Sequence, residues 1–265
     1  AYLEHIAHSN GAFMIDDAAQ CLGAFASGRA VGSFGDAGIL SFDKGKVVTS
    51  INGGVIVTSS SSIADRLTID YLAIPNRSRM TRLAEIAKLV IYSVLINPFL
   101  YWIPERIPSL KLGQTIYDDT FPIERYVDRL ASVAVAQLDR LDALYRDRTS
   151  CAERYVNSIS EEHGIRHVKV SDEAHPIYLR YPIRMTDAAN RQNFLTSYRR
   201  LGCRVSYPSC IVDIPDLQRK IAVHNDSCEA GRAVARQLIT LPTHQFVRTS
   251  DIEEICAGLS RSQVC

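Results

Sequence analysis

A carboxylate and an amide three residues apart, Asp17 and Gln20 in the stretch MIDDAAQ, are followed by SFDKGKVVTSINGG, which holds Ser41, Lys44, Lys46 and the closing pair Gly53-Gly54. At the C-terminal edge of a parallel sheet, side chains at strand ends converge on one crevice, the usual ligand position in open α/β folds. An acid, a hydroxyl and an amine meeting there match the needs of one cofactor. Pyridoxal phosphate is held as a lysine Schiff base, requires a carboxylate against its pyridinium nitrogen, and takes hydroxyl and backbone donors on its phosphate. Asp17, Ser41 and one of the two lysines can fill those roles.

The elements that must position these residues read as α/β over residues 1–60. Tyr2, Leu3, Ile6 and Ala7 form a helical stripe stopped by Asn10-Gly11, and AFMI, AGILSF and GGVIVTS are apolar runs of strand length separated by Gly-rich loops. From Glu124 to Arg148 the apolar positions Val127, Leu130, Ala134, Leu138, Leu141 and Tyr145 recur every three or four residues, which predicts one long amphipathic helix. Beyond it PIYLRYPIRM and CRVSYP read as strands. Asp187 caps a helix that ends at Gly202, and Ser250 to Glu253 forms a capping box before the last helix. Two domains are expected, 1–148 of α/β type and 149–265 a smaller α+β unit.

Residues 86–103, IAKLVIYSVLINPFLYWI, are nearly continuous apolar sequence. Lys88 within the run and Asn97-Pro98 near its middle argue against a membrane span, so it is read as a buried or partner-facing helix pair. Weak contact with a membrane surface is the alternative.

With 30 basic and 29 acidic residues the chain carries a formal net charge of +1, which gives no global field for nucleic acid. Seven scattered cysteines without C-x-x-C spacing suit a reducing compartment, and AYLEHIAHSNG does not read as a signal peptide, so the cytoplasm is expected. No metal site is expected. His163 and His167 have the spacing of two ligands on a helix, but Gly164 weakens such a helix and no carboxylate accompanies them. His224 and His244 are weaker candidates for a place near a cleft.

The run IDDAAQCLGA, then GRAVGSFGDAGILSF, then a lysine in S-x-x-x-x-K spacing and a GG pair leading into a strand, resembles the DegT/DnrJ/EryC1/StrS family of sugar aminotransferases. AVAQLDRLDALYRDR and LITLPTHQFVRTSDIEEICAGL extend the likeness along the chain. The resemblance implies fold-type I architecture, the C-terminal part of a large pyridoxal phosphate domain followed by a small C-terminal domain, working as a homodimer. It selects Lys46 over Lys44 as the Schiff-base and proton-shuttling lysine. It sets Asp17 on the ring nitrogen, Gln20 beside the cofactor and Ser41 on the phosphate. The implied reaction moves an amino group from glutamate or glutamine to a nucleotide-linked ketosugar, in cell-surface polysaccharide or secondary-metabolite sugar biosynthesis. Two alternatives remain: a non-catalytic or truncated relative acting in interaction or regulation, and a sugar dehydratase of the same fold, which the presence of Lys46 disfavours.

Three features depart from the family pattern. The G-E-G-G-like turn is Ile51-Asn52-Gly53-Gly54, and the N-[YF]-R triplet that reaches the neighbouring subunit's cofactor falls on Ile123-Glu124-Arg125, where the arginine alone survives. The family's phosphate-cradling turn and ring-stacking aromatic have no counterpart after Ala1. The chain is therefore expected to be N-terminally incomplete.

Overall fold

The structure, a computed structural model, describes residues 2–96, 100, 121–162, 164–218, 220 and 228–261. His163, His224 and positions 97–99 and 101–103 of the apolar run lie outside them. The described residues divide into two compact units. One holds those up to Arg146 together with Val170–Leu179, and the other holds Asp147–Lys169 and those from Arg180 onward.

The first unit begins with helix α1 (Tyr2–Ser9) and strand β1 (Ile15–Asp17), continues through the short strands β2 (Phe25–Ala26) and β3 (Arg29–Ala30), and reaches β4 (Ala37–Ser41) and β5 (Gly54–Val57). Helices α2 (Ser61–Ala73), α3 (Arg79–Leu95), α4 (Asp128–Leu138) and α5 (Leu141–Ser158) follow, the last running across the division between the units. Strand β1 pairs in parallel with β4, and β5 returns antiparallel on the other side of β4. The apolar run AFMI contributes only Ile15 to β1. The Met14 backbone N–H is taken instead by the Asp36 carboxylate at 2.8 Å, so the chain enters the sheet one residue later.

Helices α2 and α3 start at serines whose hydroxyls accept the Ile63 and Thr81 N–H groups. The helix expected over 124–148 is interrupted at Asp139 and Arg140, and Leu138 and Leu141 on either side of the interruption pack on one cluster around Phe42, Val48 and Ala134. A second cluster joins Ala24, Val47 and Ile177, backed by Leu144 and Tyr145. Strand β7 (Ala174–His175) pairs with β2, extending the small β2–β3 hairpin.

The second unit contains the antiparallel sheet β6 (Ile165–His167), β8 (Tyr181–Met185) and β9 (Leu238–Leu241), with helices α6 (Ala188–Tyr198), α7 (Pro215–Gln218), α8 (Glu229–Gln237) and α9 (Thr249–Arg261). Alternation along β8 buries Tyr181, Ile183 and Met185. They share the unit's apolar interior with Tyr155, Ile239, Phe194, Ile255 and Leu259, all nearly inaccessible. Asp187 does cap α6, accepting the Asn190 N–H at 2.7 Å, and Gly202 closes the following turn with φ of 88°. CRVSYP forms only an isolated bridge, Arg204 with Thr240. The last helix starts at Thr249, and its reciprocal cap is Asp251 accepting the Arg248 N–H at 2.9 Å, not the Ser250–Glu253 box.

Candidate active site

The two acids at the end of β1 face opposite sides of the sheet and do different work, because side chains alternate along a strand. Asp16 turns to the loop before β4, where its Oδ2 accepts the Gly32 N–H at 2.6 Å and the Phe34 N–H at 3.2 Å. Asp17 is exposed on the other face, its Oδ1 accepting the Ala19 N–H at 3.0 Å in the turn that leaves the strand. Gln20 is exposed at the end of that turn.

Pairing fixes where Ser41 stands relative to Asp17. Asp17 is in register with Ile39 of β4, and Ser41 is two residues beyond Ile39, so the carboxylate and the hydroxyl share one face at the C-terminal ends of adjacent parallel strands. The Ser41 Oγ accepts the Asp43 N–H at 3.3 Å, starting the turn that leads to Lys46. The Lys46 N–H closes that turn on the Asp43 carbonyl at 3.2 Å. Lys46 is half-buried and Lys44 is exposed.

Three devices hold the chain after Lys46. Val47 and Val48 are buried in different apolar clusters. Gln137 of α4 then brackets the backbone of Thr49, its Oε1 accepting the N–H at 3.1 Å and its Nε2 donating to the carbonyl at 2.7 Å. Beyond that, Ser50 hydrogen-bonds the Tyr126 hydroxyl, and Ile51 takes a left-handed φ of 79° with its side chain buried. The closing glycine is required at 53, because a Cβ there would run into the Tyr126 ring. Lys46 thus precedes a stretch held by packing and hydrogen bonds from Val47 to Gly53.

The Cys21 thiol reports the charges around this edge. Burial pushes its pKa up, Asp16 and Asp17 push in the same direction, and Lys46 pulls it down. The Asp17 carboxylate and the Lys46 ammonium therefore act on the same sulfur.

The departure at Asn52 and the surviving Arg125 have structural partners of their own. Asn52 donates to the Glu85 carboxylate of α3 at 2.9 Å, and Glu85 is also bound by Arg77. Arg125 donates to the carbonyls of Leu72 and Ile74 at the end of α2, with its guanidinium 5.7 Å from the Tyr71 ring centre. That position suits a cation, since the last carbonyls of a helix carry its negative end. Nothing in the residue pattern alone links Asn52 with a glutamate so far along the chain, and the same holds for Gln137 and Thr49.

Of the two histidines at ligand spacing, only His167 is among the described residues. His167 is on β6, not on a helix, and its ring nitrogens meet the Tyr181 hydroxyl at 2.6 Å and the Ile159 carbonyl at 3.0 Å. Among the described residues no group of three or more His, Cys, Asp or Glu could hold a metal ion. In the second unit His244 is exposed, and partial desolvation of its ring together with the nearby Arg148 and Arg180 pushes its pKa down to about 4.

The model of the DegT/DnrJ/EryC1/StrS aminotransferase family matches residues 1–81 and 124–260. The GDP-perosamine synthase of Vibrio cholerae is 25% identical over 158 residues, which is 60% of this chain and 34% of that protein. The L-glutamine:2-deoxy-scyllo-inosose aminotransferase of Streptoalloteichus tenebrarius is 43% identical over 65 residues, 24% of this chain and 15% of that protein. Among solved structures, S. venezuelae DesV in complex with a ketimine intermediate superposes with a TM-score of 0.72 at 20% identity, covering 98% of this chain and 61% of DesV. This chain has the DesV fold over nearly its whole length and spans about three-fifths of DesV.

Proposed function

Because the chain belongs to the DegT/DnrJ/EryC1/StrS aminotransferase family, we propose that it is a pyridoxal phosphate-dependent aminotransferase. In this reading it passes nitrogen from glutamate or glutamine to a nucleotide-linked ketosugar, as a homodimer in the cytoplasm. The observation that carries the reading is the shared face of Asp17 and Ser41 at the strand ends, with Lys46 on the anchored loop that follows. The GDP-perosamine synthase relative supports a nucleotide-linked sugar, and the L-glutamine:inosose aminotransferase supports glutamine as donor and a keto carbon as acceptor.

The donor set fits the cofactor. An exposed carboxylate, a hydroxyl and a half-buried amine are what the ring nitrogen, the phosphate and the aldehyde carbon respectively require. When bound, the cofactor supplies an electron sink for the bond broken at the amino-bearing carbon. Asp17 would keep the proton on the ring nitrogen, because an anion facing that atom favours its charged form. Ser41 would donate its hydroxyl proton to a phosphate oxygen, and Gln20 would pack beside the ring. Lys46 Nζ would hold the cofactor at rest. As a free amine during turnover it would move the proton to and from the substrate carbon.

Sodium borohydride reduction of the full chain incubated with pyridoxal phosphate, followed by peptide mass spectrometry, tests the assignment. The expected result is a phosphopyridoxyl group on Lys46, lost in Lys46→Ala and kept in Lys44→Ala. A label on Lys44, or none at stoichiometric level, overturns it.

A further inference from the structure

The two stretches matched by the family model leave out residues 82–123, so most of α3 lies between them. This helix carries an exposed apolar side. Met80, Leu83, Val90, Ile91 and Val94 recur at helical spacing and are between 53% and 77% exposed. Ala87, also exposed, completes the stripe. Exposed cations border it: Arg79 and Arg82 on one flank and Lys88 on the other. Glu85, the helix's single acid, is buried on the opposite side against Arg77.

The stripe runs into a pocket of about 460 Å³ at the N-terminal end of α3, to which Leu83 and Ile86 contribute. Five arginines, Arg77, Arg79, Arg82, Arg125 and Arg129, line it against one carboxylate, Asp128. Two of them are already engaged: Arg77 pairs with Glu85 and Glu124, and Arg125 holds the carbonyls of α2. Among the described residues no acid pairs with Arg79, Arg82 or Arg129.

An apolar helical stripe edged by exposed cations is the pattern of a helix lying in the plane of a bilayer, where anionic headgroups complement the basic rim. A protein partner would need to match both a flat aliphatic strip and a set of arginines converging on one pocket. A phospholipid offers acyl chains and phosphates in that arrangement. No described helix is long and apolar enough to cross a membrane. We propose that α3 rests on an anionic phospholipid surface, with its apolar stripe among the acyl chains and headgroup phosphates at Arg79, Arg82 and Arg129.

Co-sedimentation of the full chain with vesicles of phosphatidylcholine alone, or of phosphatidylcholine mixed with phosphatidylglycerol, tests this. The chain is expected to sediment with the mixed vesicles, to release as salt rises, and to stay in solution with the neutral ones. Val90→Asp/Ile91→Asp and Arg79→Glu/Arg82→Glu should each lower the partition coefficient by about tenfold or more. All four side chains are exposed, so unchanged circular dichroism is expected of both variants. Lys46→Ala should sediment like the parent chain, which keeps this result separate from the cofactor assignment. Failure to sediment with either vesicle, or equal sedimentation with both, overturns the proposal. So does a change of oligomeric mass in Val90→Asp/Ile91→Asp without vesicle binding in the parent, because the face would then join two copies of the chain.

Discussion

Asp16 and Asp17 are sequence neighbours whose carboxylates point to opposite faces of the sheet, one satisfied by loop N–H groups and the other exposed beside Ser41. The division separates holding the fold from offering a site. Asp16→Ala removes the acceptor for two backbone donors and should cost about 2 kcal/mol in thermal or urea unfolding. Asp17→Ala should leave stability within about 0.5 kcal/mol, as for an exposed strand-end residue. On the proposed reading it should weaken pyridoxal phosphate binding, followed by absorbance titration. Equal destabilisation by the two substitutions would contradict the division.

The close approach of β4 to the preceding loop sets a second test. A Cβ on Gly38 would overlap the Gly32 carbonyl, and neither backbone can move without disturbing the Asp16 contact at Gly32 N–H. Gly38 is not at positive φ, so its requirement is space and not conformation. Gly38→Ala should lower stability by about 3 kcal/mol. Gly28→Ala meets no atom within 4 Å, although its φ of 74° adds strain, and should cost about 1 kcal/mol. The ranking of the two in equilibrium unfolding is the measurement.

Much of the α/β unit was legible because its strands are short apolar runs between turn residues, and β4 and β5 follow AGILSF and GGVIV closely. The candidate site residues fall at strand ends and in the turns after them, which are written locally. What was not legible depends on partners distant in sequence. The Met14 N–H is claimed by Asp36, which shortens β1, and the helix periodicity continues through Asp139 and Arg140 although the helix does not. The strand pattern of CRVSYP is real, but only Arg204 finds a neighbour in β9. The anchoring of the Lys46 loop by Gln137 joins residues whose relation no local pattern encodes.

Asn52 occupies the place of an acid in the family turn, and the carboxylate it meets comes from α3. Its Nδ2 donates to Glu85, whose side chain is 8% exposed and bound to Arg77. Asn52→Asp would set two carboxylates against each other in a poorly hydrated place, and a cost of about 2 kcal/mol is expected. Glu85→Gln in the same chain should recover part of that loss, because an amide can donate where the carboxylate repelled. A double-mutant cycle by chemical unfolding measures the coupling, and additive effects would show that the Asn52–Glu85 contact has no energetic weight.

His244 provides a pH-dependent signature for the second unit. The residue is exposed, and its pKa is lowered from 6.5 to about 4, first by partial desolvation of the ring and then by the positive charges of Arg148 and Arg180. In the unfolded chain the imidazole binds its proton near 6.5, so between 6.5 and 4 the unfolded state holds more protons than the folded one. Its stabilising contribution is therefore complete above pH 6.5 and is lost progressively as pH falls through 4. His244→Gln removes the titrating group and should flatten the stability profile across that window, with little change above pH 7. Arg148→Met should raise the His244 midpoint in an NMR titration, since one of the two cations that oppose its protonation is gone. A midpoint that stays at about 4 in that variant would assign the shift to ring desolvation and Arg180 instead.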